Sequence, residues 1–264
     1  MIPPSLAVKP LRMNSIMTEN KNGRLSFPAF CLGIVLILAL IQAGGALRGN
    51  RIVFPDVREI GRSLIRLLGE AKTYGLIATT MLHLLEALGL SVAIGLVTGV
   101  TGSFSKRFRS LTAPFMILIR SLPMIVLVIL IMTMISYDLV PLVATTAVLI
   151  PLISEAAGEG CRAIDPEMID VYRLNSGFNI TVFRRVYLPM ISGYLRQAFF
   201  NAAGMGLKVT VSAEYLVQTK NSLGKAVYSS GYFLEYADIY AYAVIMILMI
   251  LLITEIPAMI IKKN

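Results

Sequence analysis

Charge is scarce in this chain: Asp, Glu, Lys and Arg make up 15% of its 264 residues, against about 25% in soluble globular proteins. Tryptophan is absent, and His83 is the only histidine. A single histidine, with no Ser or Cys partner at a recognisable spacing, leaves no nucleophilic triad. No HExxH zinc helix occurs, and no Gly-rich P-loop that would hold ATP. The two cysteines, Cys31 and Cys161, are too few for a zinc site, and no disulfide is expected between them. These absences exclude a catalytic site of familiar type and imply neither cofactor nor metal.

Long apolar runs stand where the charge is missing. Hydrophobic residues account for 56% of the chain. A helix needs about 20 mainly apolar residues to cross the hydrocarbon core of a bilayer. Six stretches qualify: 27–47, 74–102, 111–136, 139–158, 190–213 and 239–261. The third carries Arg120 and Pro123. The fifth is the weakest, because it holds Arg196 and Lys208. His83 and Glu86 lie near the start of the second. The sequence thus predicts an all-α membrane protein with about six transmembrane helices. Residues 1–26 form a polar tail, and 27–264 form one membrane domain. Residue 27 onward reads as a retained span, not a cleaved signal peptide. Gly95 with Gly99, and Gly204 beside Gly206, suit close helix packing.

The net charge is +9. On a soluble protein this would raise nucleic-acid binding; here cytoplasmic loops rich in Lys and Arg account for it. With six spans, 13 of the 24 basic residues fall on the side of the two termini and 8 on the other. That bias predicts both termini inside. The first outer loop is itself basic and contains a helix. Asp56 and Glu59 resemble a capping box. Val57, Ile60, Leu64, Leu67 and Leu68 then recur at helical spacing, with Arg58, Arg62 and Arg66 opposite. This is either an amphipathic helix on the membrane surface or a solvated connector.

The segment 159–189, between spans four and five, is longer than a connector requires. Asp165 suits an N-cap and Pro166 the first helical position. Residues 167–176 can be helical, Gly177 can end that helix, and a second short helix is expected near 180–188, before Pro189. Two ordered helices in a loop of this kind predict a docking surface.

At this loop the chain resembles the permease subunits of bacterial binding-protein-dependent ABC importers, most closely the branch for nitrate, sulfonates, taurine, bicarbonate and some vitamin precursors. The family's loop motif reads Glu-Ala-Ala, a Gly and then Leu-Pro. Counted back from Leu188-Pro189, it falls on Asp170-Val171-Tyr172 and Ser176, between Asp165-Pro166-Glu167 and Phe183-Arg184-Arg185-Val186. A literal Glu155-Ala156-Ala157 stands 34 residues before Pro189, out of that register, where small residues serve span packing. Arg120-Ser121-Leu122-Pro123, Ala213-Glu214-Tyr215 and Ser222-Leu223-Gly224 agree with other family patterns. The resemblance implies a coupling loop that docks on a separate cytoplasmic ATPase through Asp165, Pro166, Glu167, Met168, Asp170, Val171, Tyr172, Arg173, Ser176, Gly177, Leu188 and Pro189. It also implies an extracytoplasmic solute-binding protein, a second copy of the chain, a lipid setting in the bacterial inner membrane, and no enzymatic activity of its own.

Ionisable groups at membrane depth are costly and often functional. Arg120 leads as a substrate-pathway residue, since a cation there suits an anionic solute. It can equally pair with a carboxylate for structural reasons. Pro123 can bend the span beside it, and Lys208 and the pair His83 with Glu86 are weaker candidates. The competing readings are an ion-gradient-driven transporter, a membrane-embedded enzyme and the coupling subunit of a vitamin importer. The first would usually show an internal repeat, the second needs an intramembrane acid or His cluster, and the third uses different cytoplasmic helices.

Overall fold

The protein is described here by a computed structural model covering residues 55–165 and 183–262, with side chains through 254. The predicted first span at 27–47, the N-terminal tail and the loop residues 166–182 lie outside it. Among the described residues eight α-helices follow one another without a strand: α1 Val57–Gly69, α2 Ala71–Phe104, α3 Lys106–Ser121, α4 Met124–Met134, α5 Val140–Arg162, α6 Leu188–Val217, α7 Leu223–Tyr232 and α8 Tyr236–Lys262. A 3₁₀ turn, Tyr137–Leu139, leads into α5, and a π-helical turn, Phe183–Tyr187, leads into α6.

Helix α1 starts where the sequence predicts. The Asp56 backbone N–H donates to the Glu59 carboxylate at 3.1 Å, one arm of a capping box. Its apolar stripe turns inward through Leu67, which is 2% exposed. Arg66, however, is tied down: its Nη2 donates to both Asp238 oxygens at 2.5 and 2.6 Å. That hydrogen bond, reinforced by the charge of Asp238, raises the Arg66 guanidinium above its ordinary pKa against the opposing effect of burial. The helix is therefore held against the start of α8.

The bundle is organised on α2, α5 and α6. Helices in a bilayer gain little from hiding apolar surface from lipid, so close packing and interhelical hydrogen bonds must hold them. Both are present. A Cβ on Gly99 would stand 2.2 Å from the Ser154 carbonyl oxygen, and one on Gly95 would stand 2.7 Å from Ile153 Cβ. Only glycine lets α2 and α5 approach this closely. Gly206 does the same for α6, where a Cβ would lie 2.8 Å from Leu84 Cδ1. Leu84, Leu149, Ile153 and Leu207 fill the centre and are at most 1% exposed. Ser91 on α2 donates to the Thr146 carbonyl at 3.2 Å, and Thr145 and Thr210 hydroxyls meet at 3.0 Å between α5 and α6.

Among the described residues three helical stretches are long and apolar enough to cross a membrane: α2, Tyr137–Arg162, and Tyr236–Thr254 of α8. They match the predicted second, fourth and sixth spans. The predicted third span needs correction. It is not one straight rod but α3 and α4, bent by 113°. Leu122 is extended and Pro123 caps α4. The residue before a proline is pushed out of the helical region, and proline has no N–H to continue the ladder. The predicted fifth span becomes the longer α6, whose Arg196, Lys208 and Glu214 make it less apolar than the other three. The short helix expected at 180–188 is also revised: the turn Phe183–Tyr187 runs directly into α6, so Leu188 and Pro189 open a long helix instead of closing a short one.

Candidate functional site

The two described arms of the long loop sit on a common apolar platform. Ile164 from the outgoing arm and Tyr187 from the returning arm are buried with Val100, Ala157, Cys161 and Ile191. Phe183 and Val186 pack at the margin. The Tyr187 ring lies edge-on to Phe104 at the end of α2, with centroids 5.4 Å apart. Gly160 permits the crossing of α5 and α6, since a Cβ there would lie 3.0 Å from Ile191 Cβ. Both arms thereby rest on contacts with α2, α5 and α6. Proline is tolerated at Pro189 because the first turn of a helix leaves its N–H groups unpaired anyway. Among the predicted docking residues, Asp165 and Pro189 are exposed and Leu188 is partly buried. Pro166, Glu167, Met168, Asp170, Val171, Tyr172, Arg173, Ser176 and Gly177 lie outside the described residues.

Arg120 faces α5. Its Nη2 donates to the Pro151 carbonyl at 2.9 Å and forms an ion pair with Glu155. The Pro151 carbonyl sits at the interior proline of α5. Glu155 opens the literal Glu-Ala-Ala, so that sequence serves here as a counter-charge within the bundle. Both partners remain about half exposed in a cleft of about 290 Å³ between α2, α3 and α5. Pro123 is exposed at the α3–α4 bend, and Lys208 is exposed and makes no ion pair among the described residues.

At the opposite end of the bundle the structure reveals a group that sequence reasoning passed over. Glu214 on α6 is 0% exposed. His83 Nδ1 lies 2.8 Å from its Oε1, while Thr80 Oγ1 at 2.8 Å and the Gly224 N–H at 3.2 Å donate to Oε2. Thr80 in turn accepts from the Leu223 N–H at 3.0 Å. The node binds α2, α6 and the N-terminus of α7, where backbone donors point at a carboxylate. Gly224 makes the fit possible: a Cβ there would lie 2.4 Å from Glu214 Cβ. Of the weaker candidates His83 and Glu86, Glu86 is exposed and His83 turns inward to Glu214. The available signal was a carboxylate followed nine residues later by Leu223-Gly224, a segment with donors to offer.

Among the described residues no group of three His, Cys, Asp or Glu side chains stands ready to hold a metal.

The comparisons agree with the helical architecture. No curated protein matches by sequence. Among solved structures, the inward-facing methionine ABC transporter MetNI contains a similar chain, with TM-score 0.60 and 18% identity, covering 72% of this chain and 93% of that one. That likeness shows a shared all-α fold. A family model described as the binding-protein-dependent transport system inner membrane component matches residues 91–262, more than half of the chain. The chain belongs to that family: it is a permease subunit of an ABC importer, without enzymatic activity of its own, and ATP is hydrolysed on a partner subunit.

Proposed function

We propose that two copies of this chain form the solute pathway of an importer in a bacterial inner membrane, with both termini cytoplasmic. Residues 159–189 dock on the ATPase through Asp165 to Gly177, flanked by Leu188 and Pro189. A solute-binding protein delivers cargo from the other side. The observation that carries this reading is the platform of Ile164, Tyr187 and Ile191, which seats both arms of the loop on three long helices. An apolar helix entering a partner's groove is a recurrent recognition mode. Its displacement then becomes rigid-body motion of the helices behind it.

The cargo we propose is a small anionic or vitamin-precursor solute of the sulfonate, taurine, nitrate, bicarbonate or thiamine-precursor type. Sequence resemblance and the cationic Arg120, with Pro123 and Lys208, support it. The MetNI likeness makes methionine the control solute. The test is reconstitution of the chain with its ATPase and binding protein in liposomes. Asp170→Arg and Tyr172→Ala should abolish the stimulation of ATP hydrolysis by loaded binding protein while leaving the complex assembled. Solute uptake by the chain alone, with no ATPase present, would sink the reading. Uptake of methionine in preference to sulfonates or nitrate would remove the anionic cargo but not the permease.

A further inference from the structure

The cleft between α2, α3 and α5 holds more positive charge than its ion pair uses. Arg109 and Arg120 reach it from α3, Ser154, Glu155 and Arg162 from α5, and Gly102 from α2. Three arginines thus line the cleft beside one carboxylate. Glu155 engages Arg120, and neither Arg109 nor Arg162 makes an ion pair among the described residues. Arg162 is exposed, and its Nη1 lies 3.2 Å from where a Cβ on Gly158 would stand, so the side chain runs back along α5 at the cleft. Arg109 lies across Gly102, with its Cβ 3.8 Å from the missing Cβ of that glycine. The Ser154 hydroxyl is half-buried in the lining and has no hydrogen-bond partner among the described residues.

We propose that this cleft is an oxyanion-binding site. Arg109, Arg120 and Arg162 supply the charge, and the Ser154 hydroxyl supplies a neutral donor. The guanidinium fork matches phosphate and sulfonate oxygens two at a time, which an ammonium does not. A tetrahedral oxyanion fits the volume, and the two glycines keep side chains out of its floor. Glu155 is the competitor for Arg120: it holds that guanidinium while the cleft is empty and lowers the net charge that an anion meets.

The depth fits a lipid headgroup as well as a free ion. Glu155 and Arg162 are seven residues apart on α5, about 10 Å along the axis at ~1.5 Å per residue. That interval is comparable with the interfacial layer, about 5–8 Å per side, that separates hydrocarbon from water. The bound oxyanion therefore comes either from an anionic phospholipid or from solution, as inorganic phosphate or a sulfonate. The lipid source rests on the permease reading, because it needs the loop end to face the inner leaflet. Binding is measured apart from ATPase coupling, so loss of one leaves the other standing.

The experiment uses the full chain purified in a zwitterionic detergent. Native mass spectrometry measures retention of phosphatidylglycerol against phosphatidylcholine, and calorimetry measures binding of inorganic phosphate and ethanesulfonate. One or both anions should bind, and phosphatidylcholine should not. Retention of phosphatidylglycerol alone identifies the lipid source, and binding of the soluble ions identifies the other. R109Q and R162Q should each weaken binding about tenfold, the loss expected for one charged hydrogen bond. R162K, which keeps charge but loses the fork, should fall between. E155Q should tighten binding several-fold, opposite in sign to the effect of merely loosening the bundle. The proposal is overturned by no anion binding in either arm, by undiminished binding in the R109Q/R162Q double variant, or by weaker binding in E155Q.

Discussion

Replacing Glu214 with Ala tests the buried node most severely. The carboxylate is fully buried and receives Thr80 Oγ1, His83 Nδ1 and the Gly224 N–H. Truncation leaves all three without that acceptor. One hydrogen bond to a charged group contributes about 1.5–3 kcal/mol, but three at one carboxylate do not add. Breaking a buried charged cluster by removing one member costs about 3–5 kcal/mol, and that is the magnitude we expect. At ~2–4 °C per kcal/mol for a chain of this size, the melting temperature in detergent should fall by about 6 °C at the least. Glu214→Gln should recover part of the loss. Its amide oxygen in the place of Oε2 can accept from both Thr80 and Gly224, while its NH₂ faces His83 Nδ1 in place of an acceptor oxygen. Hydrogen exchange gives the local readout, since the Leu223 and Gly224 amides are held by Thr80 and Glu214. Both should exchange faster in the Ala variant, well before the core of α5. An E214A protein that melts within about 1 °C of the parent, with those amides still protected, refutes the assignment of the node as the lock on α7.

Gly99→Ala should cost about 1–3 kcal/mol, because a methyl group 2.2 Å from the Ser154 carbonyl forces α2 off α5; thermal melting decides, and parent-like stability would contradict the close packing. A double-mutant cycle on Arg66→Gln and Asp238→Asn should give a coupling of only about 0.5–1 kcal/mol, since the Arg66 side chain is 54% exposed and solvent screens the pair. A coupling near zero would mean that Leu67 alone holds α1. Tyr187→Ala should lower stability by about 3 kcal/mol and reduce the coupling of ATP hydrolysis to uptake. Unchanged coupling in a folded Y187A transporter would show that the platform does not transmit motion.

What was legible in the sequence follows from the range of the interaction that decides each feature. The spans α5 and α8 are fixed by local composition and length, and they appear near their predicted positions. The start of α1 depends on Asp56 and Glu59, three residues apart, and was equally plain. Gly95 and Gly99 announce a close approach by spacing alone. The α3–α4 break was half-visible: Pro123 marks the place, but no local rule gives 113°, because what lies across α3 sets the angle. The ion pairs between helices were the least legible. Arg120 was recognised as costly, yet its partner Glu155 is 35 residues away and sat inside a motif that drew attention for another reason. His83 stands three residues from Glu86, whereas its partner Glu214 lies 131 residues on. An ion pair between helices is chosen by the fold, and sequence distance carries little information about it.

The arrangement of these long-range contacts bears on how the permease moves. The platform at one end and the Glu214 node at the other are built on α2 and α6. Between them the helices touch α5 so closely at Gly95, Gly99 and Gly206 that a small slide would drive backbone into side chain. Packed helices of this kind prefer discrete arrangements to continuous deformation. A push on the loop arms through Tyr187 and Ile164 should therefore turn α2, α5 and α6 as one body and carry α7 with it through Glu214. By contrast, α3 has no fully buried residue and meets α5 across the half-open cleft at Arg120 and Glu155. If one element shifts against that body during the transport cycle, it is α3, about the joint at Leu122 and Pro123, because Val128 holds α4 to α5 and α6. A cysteine cross-link from α2 to α5 should then leave uptake intact, while one from α3 to α5 across the cleft should arrest it. Arrest by the first and not the second would reverse the assignment of moving and fixed parts.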